Sequence, residues 1–208
     1  IDKVQNGVNY KGINVETLTL SDNAFTTYPV ELAKSKSKIN YVNLRGCRIN
    51  NIPKEAFEGE TVKHLVSLDL SYNDLTDLPS SFNAVNMPYF YGLELSYNEF
   101  SKFPYEPFDC AGLTIYGIRG QRDKAGERCL SEWPTGVYQH TGLRGLYIGS
   151  NNLGKIEDTI SPLIYYLEIS DNPNIIFDAS GICYEYSIGA YYLIFDKSQD
   201  IRGCSYMR

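Results

Sequence analysis

Residues Leu65 to Pro79 read LVSLDLSYNDLTDLP and fit the pattern LxxLxLxxNxLxxLP at every fixed position. The inner part alternates. Leu68 and Leu70 fall on one side of an extended chain and Ser67, Asp69 and Ser71 on the other, the period of two of a β-strand. One short strand and its return segment cannot bury those leucines alone, so the pattern implies stacked copies sharing one elongated core.

Copies stand on both sides of it. Phe90 to Pro104, FYGLELSYNEFSKFP, follows, while Ile39 to Pro53, INYVNLRGCRINNIP, and Val15 to Pro29, VETLTLSDNAFTTYP, precede it. Leu143 to Ile156 continues the pattern, and Ile164 to Asn174 does so more weakly. Leu113 to Gln121, LTIYGIRGQ, keeps the strand but is followed by the insertion Arg122 to Arg128 before Leu130 and Trp133-Pro134 resume. Leu193, Phe195, Ser198 and Ile201 read as a closing copy. The asparagine-equivalent positions are 23, 47, 73, 98, 121, 151, 172 and 198, spaced by 24, 26, 25, 23, 30, 21 and 26 residues. Recurrence at so narrow a range of periods specifies a repeat array.

With the second halves Pro53…Phe57, Pro79…Phe82, Pro104…Phe108 and Pro134…Tyr138, the chain resembles the leucine-rich-repeat family, in the class of about 24 residues per repeat. The resemblance runs from Val15 to Cys204. It implies an α/β solenoid, a horseshoe of eight repeats with a concave parallel β-sheet and a mostly irregular or short-helical convex side. Residues 1–14 read as an N-terminal cap or linker and residues 15–208 as the repeat domain, with an insertion at 122–128 and a closing repeat at 190–208. In the family, the asparagines after each strand form a hydrogen-bonded ladder, here Asn23, Asn73, Asn98, Asn151 and Asn172, because a buried amide must be satisfied. Cys47, Gln121 and Ser198 depart from asparagine, and Cys47 reads as a small buried structural thiol.

The residues two, four and six places before each slot face outward and form three stripes. The middle stripe includes Asp69, Glu94, Tyr147 and Glu168; the flanking stripes contain Tyr41, Arg45, Arg119, Tyr166 and Tyr192, and Tyr72 and Tyr97 lie at the sheet edge. Tyrosine offers wide, rigid contact area with a polar tip, which suits these residues to partner binding. The plainer reading is that tyrosine favours strands and that some of the 18 tyrosines must face solvent in any case. The insertion, charged and glycine-containing, is expected to project as a loop, either carrying specificity or merely tolerated.

Composition narrows the partners. A net charge of −6 without runs of like charge gives no footprint for nucleic acid or anionic membrane. No apolar stretch is long enough for a transmembrane segment. His64 and His140 stand about three repeats apart, and HExxH, CxxC, GxSxG and glycine-rich phosphate loops are all missing, so no catalytic site, metal or cofactor is expected. Asp69 and Glu94 could share a cation such as calcium, but two carboxylates are too few to specify a site. The five cysteines leave the pairings Cys110–Cys129 and Cys183–Cys204 open.

Irregular repeat lengths, tyrosine-rich strands and uncapped ends resemble bacterial cell-surface or secreted members of the family, often lipid-anchored through an upstream segment. The expected function is a monomeric, non-catalytic module that binds a protein or polysaccharide ligand at the cell surface. The alternative is a structural or adaptor segment of a larger surface protein whose functional domain lies upstream.

Overall fold

The computed structural model describes residues 16–34, 38–156, 163–178, 192–196 and 198–202. The strands within them are β1 (Thr17–Thr19), β2 (Tyr41–Asn43), β3 (Ser67–Asp69), β4 (Gly92–Glu94), β5 (Ile115–Gly117), β6 (Gly145–Tyr147), β7 (Lys155–Ile156), β8 (Tyr166–Glu168), β9 (Ile176–Asp178), β10 (Tyr192–Ile194) and β11 (Asp200–Arg202). Eight of them form one sheet in the order β1-β2-β3-β4-β5-β6-β8-β10, every pair parallel. The chain therefore advances one strand per repeat, the expected solenoid.

The register is set by the apolar slots. Leu18, Val42, Leu68, Leu93, Tyr116, Leu146, Leu167 and Leu193 stand in one row across the sheet. From Val42 to Leu167 the whole row is buried. A slip of one residue on any strand would turn its leucines to solvent. Tyr116 is tolerated in a leucine slot because its hydroxyl donates to the carbonyl of Pro104 at 3.1 Å, so the buried ring brings no unpaired polar atom with it.

The return halves are short and helical where the sequence reads LPxxxF. One turn of α-helix, α1, covers Glu31–Lys34, and 3₁₀ turns cover Lys54–Phe57, Val62–His64, Glu106–Asp109 and Val137–Gln139. Proline precedes or opens the turns at Lys54–Phe57 and Glu106–Asp109, where its fixed φ is an advantage and its missing N–H costs nothing. Their aromatic side chains fill the space behind the sheet: Tyr28, Phe57, Phe82 and Phe90 touch in sequence with ring centroids 5.4, 4.8 and 5.1 Å apart.

Two features depart from expectation. A second, three-stranded parallel sheet, ordered β11-β9-β7, forms on the return side of the last repeats. Only 21 residues separate Asn151 from Asn172, and an extended return covers more distance per residue than a helical one. The closing repeat also bonds through a different residue, as follows.

After β1 to β6 and β8 the chain turns inward through a left-handed residue immediately before the ladder slot: Asp22, Gly46, Tyr72, Tyr97, Gly120, Ser150 and Asp171, with φ between 54° and 67°. The next side chain stitches two repeats together. Asn73 donates to the carbonyls of Leu44 and Leu70, both at 2.9 Å, and its Oδ1 accepts from the backbone N–H of Cys47 at 3.0 Å and of Ile49 at 2.9 Å. Asn98, Asn151 and Asn172 repeat the motif in the fourth, sixth and seventh repeats. Gln121 reaches the carbonyls of Leu95 and Arg119 instead, and the Cys47 thiol donates to the carbonyl of Leu20 at 3.1 Å. In the last repeat Ser198 is exposed, while buried Gln199 bonds to the carbonyls of Ile169 and Asn172. A serine hydroxyl is too short to span that gap, so the longer amide one residue later takes the place. The expected cap at residues 1–14, and Cys183 and Cys204, lie outside the described residues.

Candidate functional site

Because leucines take one side of every strand, the alternate residues share the other. Tyr41, Tyr166 and Tyr192 stand in one outward row, in register with Ser67, Gly92, Ile115 and Gly145. They are 46%, 44% and 58% exposed. Tyr166 and Tyr192 stack with planes 7° apart and centroids at 4.7 Å. On the opposite rim Tyr72 and Tyr97 stack at 4.3 Å, and the Arg45 guanidinium lies 3.8 Å over the Tyr72 ring. Tyr97 in turn rests against Gly120, where an added Cβ would come within 2.6 Å of its ring. These rings are locked by one another, so presenting them costs little side-chain entropy.

The floor between the two rims is polar and largely self-satisfied. Asp69, Glu94 and Glu168 each accept the backbone N–H two residues on, from Ser71, Ser96 and Ser170 at 2.9, 2.9 and 3.0 Å. They cap the exits of their own strands. Glu168 is held further by the N–H of Gly149 at 3.2 Å and by Arg119, whose Nε lies 2.7 Å from its Oε2. It is only 5% exposed. As a partner contact it is thus largely withdrawn, and the floor presents Arg119 and Tyr147, with the guanidinium 4.6 Å over the Tyr147 ring. Glycines make this possible: side chains at Gly117 and Gly149 would collide with the carboxylates of Glu94 and Glu168.

Alternation alone overlooks part of the surface. At the start of β2 to β6 and β8 two successive N–H groups share one carbonyl: Tyr165 and Tyr166 both donate to Arg144, and Tyr91 and Gly92 both donate to Val66. This bulge-like doubling breaks the period of two. It leaves Tyr91 and Tyr165 exposed beside Ile115 and Tyr166. The signal in the sequence is an aromatic residue two places before the first strand leucine, as at Tyr91 and Tyr165.

The two histidines do not come together. His140 is buried, accepting the N–H of Leu143 on Nδ1 at 3.0 Å and facing the carbonyl of Cys110 with Nε2 at 3.2 Å. Burial holds its pKa below the usual histidine range. His64 closes the separate turn Val62–His64. Among the described residues no group of three His, Cys, Asp or Glu side chains could hold a metal ion, and no helix is long and apolar enough to cross a membrane. Cys47, Cys110 and Cys129 are free thiols, so the Cys110–Cys129 pairing left open by the sequence is not formed.

Comparison with known proteins agrees with this geometry. The family model described as Leucine Rich Repeat matches residues 64–84, the stretch around the most regular copy. A comparison with curated protein sequences gives no match. Among solved structures, the chain is similar to a leucine-rich repeat protein from Bacteroides thetaiotaomicron VPI-5482, with 40% identity and a TM-score of 0.91 over 96% of this chain and 24% of that one. It is similar to one from Bacteroides eggerthii DSM 20697, with 43% identity and a TM-score of 0.88 over 96% of this chain and 33% of that one. A Leptospira interrogans protein of the same kind shares 26% identity at a TM-score of 0.69, over 88% of this chain and 42% of that one. The chain thus spans a quarter to a third of the length of the Bacteroides proteins it resembles.

Proposed function

The chain is a leucine-rich-repeat solenoid similar to bacterial proteins of that family, and from this premise we propose that it is a non-catalytic binding module whose tyrosine-rich concave face recognises a protein or glycan partner at a bacterial cell surface. Solenoids of this family commonly bind proteins. The observation that carries the reading is the pair of locked aromatic stacks, Tyr72–Tyr97 and Tyr166–Tyr192, standing exposed on either rim of a floor whose charges are already satisfied. Large exposed rings that need no further ordering are what a recognition surface requires. The domain acts as a monomer outside the cell.

The test is capture of glycans on an array and of extracellular-matrix proteins on a panel, comparing the native chain with Tyr147→Ala and Tyr166→Ala. The expected outcome is loss of capture with unchanged melting. Capture that survives both substitutions would favour the second reading, an adaptor segment, to which the much greater length of the Bacteroides relatives lends support.

A further inference from the structure

Repeats of a solenoid ordinarily touch only their immediate neighbours. Here β5 pairs with β6 and β6 with β8, so the fifth and seventh repeats share no strand pairing. Two arginines of the fifth repeat nevertheless reach the seventh. On the concave floor Arg119 passes over Tyr147 to Glu168. On the turn rim Arg128 bonds the carbonyl of Asn151 at 3.0 Å, the carbonyl of Asp171 and, through Nη2, the Asp171 carboxylate at 2.5 Å. Asp171 passes the connection on, its N–H donating to the Asp196 carboxylate of the eighth repeat at 2.5 Å.

The insertion is what supplies Arg128, and it is folded rather than loose. Arg122 and Arg128 close it as an antiparallel bridge, the Asp123 carboxylate accepts the N–H groups of Ala125 and Glu127 at 2.9 Å, and Arg122 Nη1 donates to the carbonyl of Gly126 at 3.1 Å. The intervening repeat is correspondingly bare. Gly149 stands in the row occupied elsewhere by Arg45, Ser71, Ser96 and Arg119, and any side chain there would block Glu168. The sixth repeat is thus built to be bridged.

We propose that the 122–128 insertion is a brace: with Arg119 it clamps the fifth, sixth and seventh repeats into one rigid block that opens as a unit, fixing the spacing of Tyr147 and Tyr166 on the concave face. The brace does not depend on the identity of any partner. It breaks the nearest-neighbour rule at one place in the solenoid, by charge-assisted bonds on the concave floor and at the turn rim of the skipped repeat.

Hydrogen exchange read by mass spectrometry on the whole chain tests it, following peptides over residues 67–73, 115–121, 145–151 and 166–172. In the native chain the last three peptides exchange through a common opening. In the double variant Arg119→Met with Arg128→Met, residues 166–172 exchange about tenfold faster than residues 115–121, while residues 67–73 keep their protection. Should the double variant not fold, Asp171→Asn, which keeps a residue tolerant of the left-handed backbone, removes the charge from the rim clamp while leaving its carbonyl bonds, and the same peptide separates by about threefold. Independent exchange of the three peptides in the native chain, or a uniform loss of protection across all four in the variants, overturns the proposal.

Discussion

Tyr72 and Tyr97 stack ring on ring at 4.3 Å although both backbones sit in the left-handed region, at φ of 57° and 60°. At the same turn other repeats carry Asp22, Gly46, Gly120, Ser150 and Asp171, mostly residues that adopt this conformation at low cost. The strain of a left-handed tyrosine, about 1–2 kcal/mol, and the benefit of a stacked pair, about 0.5–1.5 kcal/mol, are of similar size. Tyr97→Asn should therefore change stability in urea by less than about 1 kcal/mol while removing half of the aromatic ledge and weakening partner capture. A loss above about 2 kcal/mol would mean that the ring belongs to the core rather than to a binding surface.

The ladder makes a graded prediction. Asn73 engages five backbone groups, so Asn73→Ala leaves buried donors and acceptors unpaired and should cost about 1–3 kcal/mol by urea denaturation. Cys47 contributes a weak thiol donor and should cost less when replaced by alanine. Cys47→Asn restores the amide used by the neighbouring repeats and should be neutral or stabilising. A Cys47→Ala loss equal to that of Asn73→Ala would contradict this ranking.

Acid should act through His140. The folded protein holds this imidazole below its ordinary pKa, chiefly by burial, so the unfolded chain binds the proton more readily. Its contribution to stability is then complete above the unfolded value near 6.5 and is lost as pH falls below it. His140→Asn keeps a donor and an acceptor but cannot titrate. Between pH 7 and pH 5 the native chain should lose more stability than this variant does, as read by melting temperature. Parallel curves would assign the response in this window to other groups; Asp171, whose carboxyl Arg128 holds below the usual range, loses its contribution only below about pH 4.

Thiol labelling should follow burial. The Cys110 thiol is pushed up to about 12, by burial first and then by Asp109. Burial also raises Cys47 and Cys129. At pH 8 the thiolate fraction at Cys110 is on the order of one in ten thousand, so site-resolved alkylation of the native protein should find it the slowest of these three, with the order lost in urea. Rapid native labelling at Cys110 would indicate that the junction of the fourth and fifth repeats opens readily.

Much of this architecture could be read from Leu65 to Pro79 alone. The alternation of Leu68 and Leu70 with Asp69 and Ser71, repeated at one period, left a parallel solenoid as the way to bury every leucine, and the observed register follows that row from Val42 to Leu167. Counting back from the slots also located Tyr41, Tyr147, Tyr166 and Tyr192 in the outward rows. Counting failed where geometry overrides period. The doubled N–H contacts at the strand starts expose Tyr91 and Tyr165, and a gap too wide for Ser198 was closed by Gln199.

Periodicity is local information: it is carried by neighbours along the chain, and hydrophobic burial converts it into strand, stack and face without reference to anything distant. The burial of Glu168, the reach of Arg128 to Asp171 and the stacking of Tyr72 on Tyr97 join residues 49, 43 and 25 positions apart in partners and numbering. Such contacts depend on side-chain lengths and on which glycines leave room between repeats. Those distances exist only once the coil of the solenoid has brought its turns together.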